Sequence, residues 1–530
     1  MKQILHIFQK DARHLWREIL LSFALTAAFA MIYPRQWSPY NYGHGTVAGG
    51  FSLATEPGLA LMASLLVLLV PIGWWILITR VVQSESLVGD GQFWITRPYE
   101  WKKLLAAKAL FLVVFLYLPI FIAHCVLLKT AGFHPLSYLP GLLFNLLLIT
   151  FILVLPGVSL ATVTSSFARM TLTLLALIFG IIFMSSLPSM FDAYNAPTPY
   201  GDTISPTLAV CICGAVVVIQ YAARRVWLSR FLLLSVPVLT GIVSLATPEA
   251  TLMQRAYPRP TSSQSLPLQI ALDTELMDQA TARPARSSKL VSLNIPLKVS
   301  GIEDGRAYQS DDVWLSIEGR NGLHWTSMWR AYGWKYLPGT QSSWVGVDVS
   351  RAFYDQVKSS PVTLHLTFAL TELRAGQATV IPLPAGKFPV PGVGICSPDI
   401  TWDGLHITGI SCLSAVREPR LSYVNVLWSS AKCSGTPTAP ETAVQGAGWI
   451  GTLDNAPASF GITSVWRNPL NLSNNSIGNR DYTPENRHLC PGMPVTFTQY
   501  KMAGRTQTDL TIPNFRLPDY AISAPTKPAT

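Results

Sequence analysis

Seven apolar runs, all within the first 247 residues, constrain this chain more than any other feature. They cover about 18–34, 58–79, 107–128, 141–163, 170–190, 206–223 and 229–247. A helix needs roughly 20 apolar residues to cross a bilayer, and a single run can satisfy its backbone polar groups in lipid only as a helix. The chain is therefore expected to open as an α-helical polytopic membrane bundle of about seven transmembrane helices. Composition agrees, since only 13% of the residues are charged, against about 25% in soluble proteins. Pro71, Pro119 and Pro156 fall inside these runs, where each predicts a kink that neighbouring helices accommodate.

Charge placement orients the bundle. The first 247 residues hold 15 Lys and Arg against 8 Asp and Glu, most of the net charge of +10. With the N-terminus inside, thirteen basic residues from Lys2 to Arg230 fall on inner segments, and only Arg35 and Lys129 fall on outer ones. This positive-inside bias predicts a multi-pass protein of a bacterial cytoplasmic (inner) membrane, with a cytoplasmic N-terminus and an extracytoplasmic C-terminal domain. No Lys/Arg block interleaved with aromatics occurs in the polar half, so nucleic acid is not an expected partner.

Residues 1–17 place Ile4, Leu5, Ile7, Phe8, Ala12 and Leu15 roughly on one helical face, with Lys10, Arg13 and Arg17 among the polar positions. That pattern predicts an interfacial amphipathic helix; a plain extension of the first span is the alternative. A cleaved signal peptide fits less well, because the leader is long and acidic residues interrupt it. Residues 18–247 are expected to form the transmembrane domain. None of its runs contains a convincing buried acid or base, which argues against ion-coupled transport. His124 and Cys125 read as packed residues, and Cys211 and Cys213 point to different helix faces. Asn145, Thr162, Thr164, Ser165 and Ser166 read as interhelical hydrogen-bonding groups.

Residues 248–288 are rich in Pro and Ser and read as a linker. Beyond it, 289–530 is expected to be a mainly-β domain, sandwich-like and of one or two modules. Its strand-like segments include Leu290–Val299, Val313–Glu318, Pro361–Thr371 and Arg420–Trp428, separated by Gly, Pro, Asn and Asp. GLHWT at 322–326 recurs as GLHIT at 404–408, an echo that either marks two modules or is chance. Cys396, Cys412, Cys433 and Cys490 are even in number and lie on the side assigned to an oxidising compartment. They are candidates for two disulfides, with three pairings open, or for reduced core residues. No metal site is expected, since none of their spacings is of the C-x-x-C type. There is no G-x-S-x-G or H-E-x-x-H motif, and His324, His365, His406 and His488 are dispersed. Intrinsic catalysis is not expected. The aromatic cluster at 324–336 either lines a ligand face, fills a sandwich core or faces the membrane surface.

Between the second and third runs lies a polar, basic, aromatic loop, Arg80 to Lys108. It holds Glu85, Asp90, Phe93, Trp94, Arg97, Pro98, Tyr99, Trp101, Lys102 and Lys103. Its aromatics and cations suit an interfacial anchor, or a short surface helix that docks a partner. Here the sequence resembles the permease subunits of ABC-2 type ABC transporters. The likeness lies in IFQKDARHLWRE leading into the first span and GDGQFWITRPYEWKKLLAAKALF leading into the third, and covers roughly residues 1–230. The resemblance implies that this loop carries a coupling helix contacting a cytoplasmic ATPase subunit, with Glu85, Asp90, Phe93, Trp94, Arg97 and Pro98 in or beside the contact. It also implies assembly as a homo- or heterodimer of permease subunits. The seventh span and the large C-terminal domain depart from the six-span pattern usual in that family. No G-x-x-x-x-G-K-[ST] phosphate loop is present, so the chain is expected to carry no cofactor and to leave ATP to a partner chain. The expected function is that of an exporter's membrane subunit. The alternative is a membrane-anchored binding or sensory protein whose spans display the β-rich half.

Overall fold

The computed structural model describes residues 2–37, 57–85, 100–191, 201–246, 249–260, 268–275, 289–400 apart from 321, 328, 339–340, 385 and 392, then 407–415, 422–428, 444–450, 462–470, 492 and 494–522. Its first half is helical: α1 (Lys2–His14), α2 (Trp16–Ile32), α3 (Pro57–Gln83), α4 (Trp101–Leu112), α5 (Leu118–Thr130), α6 (Leu139–Ile149), α7 (Leu155–Val163), α8 (Phe167–Phe191), α9 (Gly201–Ala223) and α10 (Val226–Ala246). Among the described residues, seven stretches are long and apolar enough to cross a membrane: Trp16–Trp37, Leu61–Gln83, Trp101–Thr130, Pro135–Val163, Phe167–Met184, Pro206–Ala223 and Val226–Val243. The seven expected spans are therefore present as helices. They are apolar on every side, as bilayer-embedded helices are; α7 is buried all round from Gly157 to Val163, whereas α3 packs along one stripe. In α3, Ala63, Leu66, Val70, Trp74 and Leu77 are buried while Leu61, Leu65, Leu68 and Ile72 are exposed, the three-to-four spacing of a helix with one face to its neighbours.

Two of the expected proline kinks take a specific form. The third span widens into a π-helical turn at Val113–Tyr117 and the fourth at Thr150–Val154. In each, the hydrogen bond spans five residues, from Leu118 N–H to Val113 O and from Leu155 N–H to Thr150 O. Each turn is followed by the same two residues, Leu118-Pro119 and Leu155-Pro156. Proline has no N–H, and its ring collides with the carbonyl four residues back. A widened turn relieves that collision while keeping the chain helical.

The second half is mainly β, as expected. After α11 (Glu249–Ala256) come β1 (Gln269–Leu272), β2 (Leu290–Ser300), β3 (Arg306–Glu318), β4 (His324–Thr326), β5 (Arg330–Tyr336), β6 (Gln341–Ser350), α12 (Arg351–Val357), β7 (Val362–Pro382), β8 (Phe388–Val390), β9 (Gly394–Ile400), β10 (Ile407–Ala415), β11 (Ser422–Trp428), β12 (Val444–Ile450), β13 (Val465–Leu470) and β14 (Pro494–Phe515). All four strands named from sequence are present, and α11 and β1 occupy parts of the 248–288 segment. Among the described residues the strands form three antiparallel sheets, ordered β1-β2-β6, β13-β10-β9-β8, and β12-β11-β14-β7-β3-β4 with β5 on β3. β7 and β14 pair along nearly their whole length, from Val362 opposite Phe515 to Pro382 opposite Pro494. β3 borders one end of this long pair and β11 the other. The three-stranded sheet buries Leu293, Ile295, Leu297 and Val347 against Leu315, Ile317, Leu364 and Phe368 of the large sheet. The residues involved alternate along each strand, as the period of two requires. GLHWT supplies β4, whereas most of GLHIT lies outside the described residues.

The four-stranded sheet joins the halves. Along β10, Ile410 and Cys412 enter a core with Phe388, Val495 and Phe497. The alternate residues Leu413 and Ala415 enter the core of the helical bundle, with Ile462 and Val465. This sheet covers the far end of the bundle, opposite the near end where α1 lies. Cys396 and Cys412 face each other across β9 and β10 and form a disulfide. One of the pairings left open by the sequence is thus made; Cys433 and Cys490 lie outside the described residues.

Candidate functional site

At the near end, α1 lies along α4. The stripe Ile4, Ile7 and Phe8 packs into the bundle, and Phe8 stacks on Phe115 with ring centroids 5.5 Å apart. Asp11 falls on the same stripe, one turn further along, so its carboxylate is carried inward and is almost wholly buried. The stripe of α4 that receives it is Leu104, Ala107, Lys108 and Phe111. An acid on one apolar stripe therefore meets a base on the other.

Lys108 is the centre of the arrangement. Its side chain is only 4% exposed, and Nζ lies 2.7 Å from Asp11 Oδ2 and 3.0 Å from Glu85 Oε2. A third oxygen, Ser84 Oγ, accepts from the same ammonium at 3.0 Å. Lys10 donates to Glu85 Oε1 at 2.7 Å and keeps its own side chain half exposed. Two cations and two carboxylates balance, which is what allows burial: an unpaired ion here would cost several kcal/mol. Burial alone pushes the Glu85 carboxyl up, but Lys108 and Lys10 outweigh it and hold the group below the usual carboxylate range. Arg80 reaches Glu18 of α2 at 3.4 Å, and Gln83 donates to Thr164 beyond α7. The near end is thus tied across five helices.

Lys108 overturns one expectation. It lies within the third span and is buried, so the spans are not free of buried ionisable groups. Sequence alone places it at the boundary of an apolar run, where a solvated lysine is ordinary. Glu85 is also turned inward, to the base of the 80–108 loop, and offers no free carboxylate surface to a partner. Trp101 packs half-buried against the bundle at the start of α4; Lys102 Nζ lies 5.7 Å above its ring, and Lys103 pairs with Glu100 at 2.8 Å. Asp90, Phe93, Trp94, Arg97, Pro98 and Tyr99 lie outside the described residues.

A second polar group of contacts lies at the far end. His124 Nε2 is 2.8 Å from the carbonyl oxygen of Ile462, and Asn145 Nδ2 donates to Thr463 O at 2.9 Å. Ser464 Oγ donates to His124 O at 3.4 Å. His124 is packed, as its sequence context suggested. Asn145, read as an interhelical group, instead reaches the β-rich half. Thr164 does bridge helices, through Gln83, whereas Thr162 bonds back to Ser159 O within α7.

Among the described residues no cluster of His, Cys, Asp or Glu is arranged to hold a metal. Neither models of known protein families nor curated protein sequences match this chain.

Proposed function

We propose that this chain is the membrane-spanning subunit of an ATP-driven exporter of the ABC-2 kind, working as a homo- or heterodimer with a separate cytoplasmic ATPase. The observation that carries the reading is the ion-pair cluster. Glu85 enters the 86–99 segment and Lys108 lies just beyond it, and the two are joined at 3.0 Å. A loop that transmits force needs its base held to the body it moves, and this base is held to α1, α3 and α4 together. Asp90, Phe93, Trp94, Arg97 and Pro98 are then the contact residues, with Glu85 an anchor behind them. The near end is cytoplasmic, as the basic residues at that end favour, and the exporter reading puts the chain in a bacterial inner membrane. The β-rich half is extracytoplasmic, its small and large sheets facing each other as a sandwich that gates, receives or recognises cargo.

The hydrogen bonds from His124 and Asn145 into the 462–463 backbone also suit the second reading, a sensory protein in which ligand on the β-rich half signals inward. One experiment separates the two. The full chain is purified from its native membrane, and ATPase with a G-x-x-x-x-G-K-[ST] motif is measured in the preparation, for the native loop and for Trp94→Ala and Arg97→Glu. The exporter reading expects a stoichiometric ATPase lost in both variants while the chain stays folded. Absence of an ATPase, or one indifferent to the loop, would sink it.

A further inference from the structure

The two π-helical turns lie midway along consecutive antiparallel spans, and they touch. Tyr117, the last residue of the first turn, has its hydroxyl 2.6 Å from Oγ1 of Thr150, the first residue of the second. Thr150 Oγ1 in turn donates to Leu146 O. The turns therefore stand at one level, each with a proline two residues beyond it. A helix is weakest where its hydrogen-bond ladder is widened and a donor is missing, and here two such places are side by side and bridged.

What lies on either side differs. Beyond the turns, α5 and α6 form a hairpin bound to the β-rich half through His124, Asn145 and Ser464. Its tip is pressed against the four-stranded sheet: a Cβ on Gly132 would collide with Ile395 Cδ1. On the near side, α4 is bound to α1 through Lys108 and Asp11, and Phe8 of α1 stacks against Phe115 inside the first wide turn. Each flank thus has its polar fastenings at its own end, among the described residues α2 packs along α5 through apolar contact alone, and the irregular backbone lies between the two sets of polar fastenings.

We infer that the two wide turns form one hinge, on which the α5–α6 hairpin and the β-rich half move as a single body relative to the near-end block. The inference does not depend on the transport reading, since a sensor would use the same hinge. Proline-relieved wide turns supply the compliance, and the Tyr117–Thr150 bond keeps the two spans bending together.

Pulsed electron paramagnetic resonance on the full chain in lipid nanodiscs tests it. Nitroxides are attached to p-acetylphenylalanine, which leaves every cysteine native, at 102 and 136 across the hinge and at 136 and 387 within the moving body. Leu136 is 74% exposed, and Lys102 and Lys387 are also exposed. The 102–136 distribution is expected to be about twice as wide as the 136–387 one. Pro119→Ala with Pro156→Ala, which restores regular helices, should narrow it to the 136–387 width. Tyr117→Phe, which removes one oxygen and preserves packing, should widen it further. Equal widths in the native chain would overturn the hinge, as would a 102–136 width indifferent to the double proline substitution. If that double variant does not fold, Tyr117→Phe decides, and an unchanged width refutes the bridged hinge.

Discussion

The two ends of the helical bundle are held by opposite chemistry. At the near end, charged side chains meet charged side chains from segments 75 and 97 residues apart. At the far end, neutral side chains meet main-chain atoms from segments 318 and 338 residues apart. A charged cluster recognises partners by identity: every member is needed to neutralise the others. A carbonyl acceptor is present whatever residue carries it, so the His124 and Asn145 contacts do not depend on which side chains residues 462 and 463 carry, and Ser464 adds one long side-chain bond of its own. The near end is accordingly the fragile, specific fastening, and the far end the tolerant one.

Lys108→Met breaks that contrast most sharply. It leaves Asp11 buried with no cation and Glu85 with Lys10 alone, at a cost of about 3–5 kcal/mol. Thermal unfolding of the full chain in detergent, followed by tryptophan fluorescence, should show a larger fall than any single substitution at the far end. Adding Asp11→Leu and Glu85→Gln to Lys108→Met should recover most of it, because a buried ion group can be replaced as a whole by apolar or neutral residues at little cost. No recovery would mean that the cluster's geometry, and not its charge balance, holds the near end.

At the far end the expected losses are smaller. Asn145→Leu strands a buried carbonyl at Thr463 and should cost about 1–3 kcal/mol. Ile462→Val keeps the carbonyl that His124 meets and should cost less than Asn145→Leu in the same assay; the reverse order would undo the main-chain reading. Gly132→Ala has two faults, a positive φ of 88° and the clash with Ile395. Ile395→Ala should relieve only the second, so partial rescue is expected.

Much of this architecture was legible in the sequence because it is periodic. Apolar runs of membrane length gave the seven helices, and alternation gave strands such as Leu290–Ser300 and Ser422–Trp428. The cluster was not legible in the same way, since nothing local says that residue 11 meets residue 108. A signal was present all the same. Asp11 interrupts the stripe Ile4, Ile7, Phe8 and Leu15, and Lys108 interrupts Leu104, Ala107, Phe111 and Leu112. One charge on each of two otherwise apolar stripes, opposite in sign, is a pairing rule. The π-helical turns had a weaker mark, the repeated Leu-Pro step, which foretells a kink without its form. The junction at 462–464 left none, because its acceptors are backbone.

The same contrast between paired and unpaired charge can be read by pH. Glu85 and Asp312 are both buried carboxylates, displaced in opposite directions. Glu85 has two cations beside it and is held low. Asp312, on β3, is pushed up to about 6 by burial, with the neighbouring Asp311 charge adding to it, and its Oδ1 has no hydrogen-bond partner. Because the folded value of Glu85 lies below the unfolded one, its contribution is present above about pH 4.3 and is lost as pH falls through the folded value. Asp312 runs the other way. Its folded value lies above the unfolded one, so stability is greatest below about pH 4 and falls as pH rises towards 6. A shift of about two units bounds the effect at about 3 kcal/mol, and relaxation and water penetration bring it to the order of 1 kcal/mol. Asp312→Asn should therefore raise the unfolding temperature at pH 7 and leave it nearly unchanged at pH 4. Glu85→Gln should lower it at pH 7, where the native carboxylate is charged and paired. If both substitutions shift stability in the same direction at pH 7, the cations at Lys10 and Lys108 are not what distinguishes the two sites.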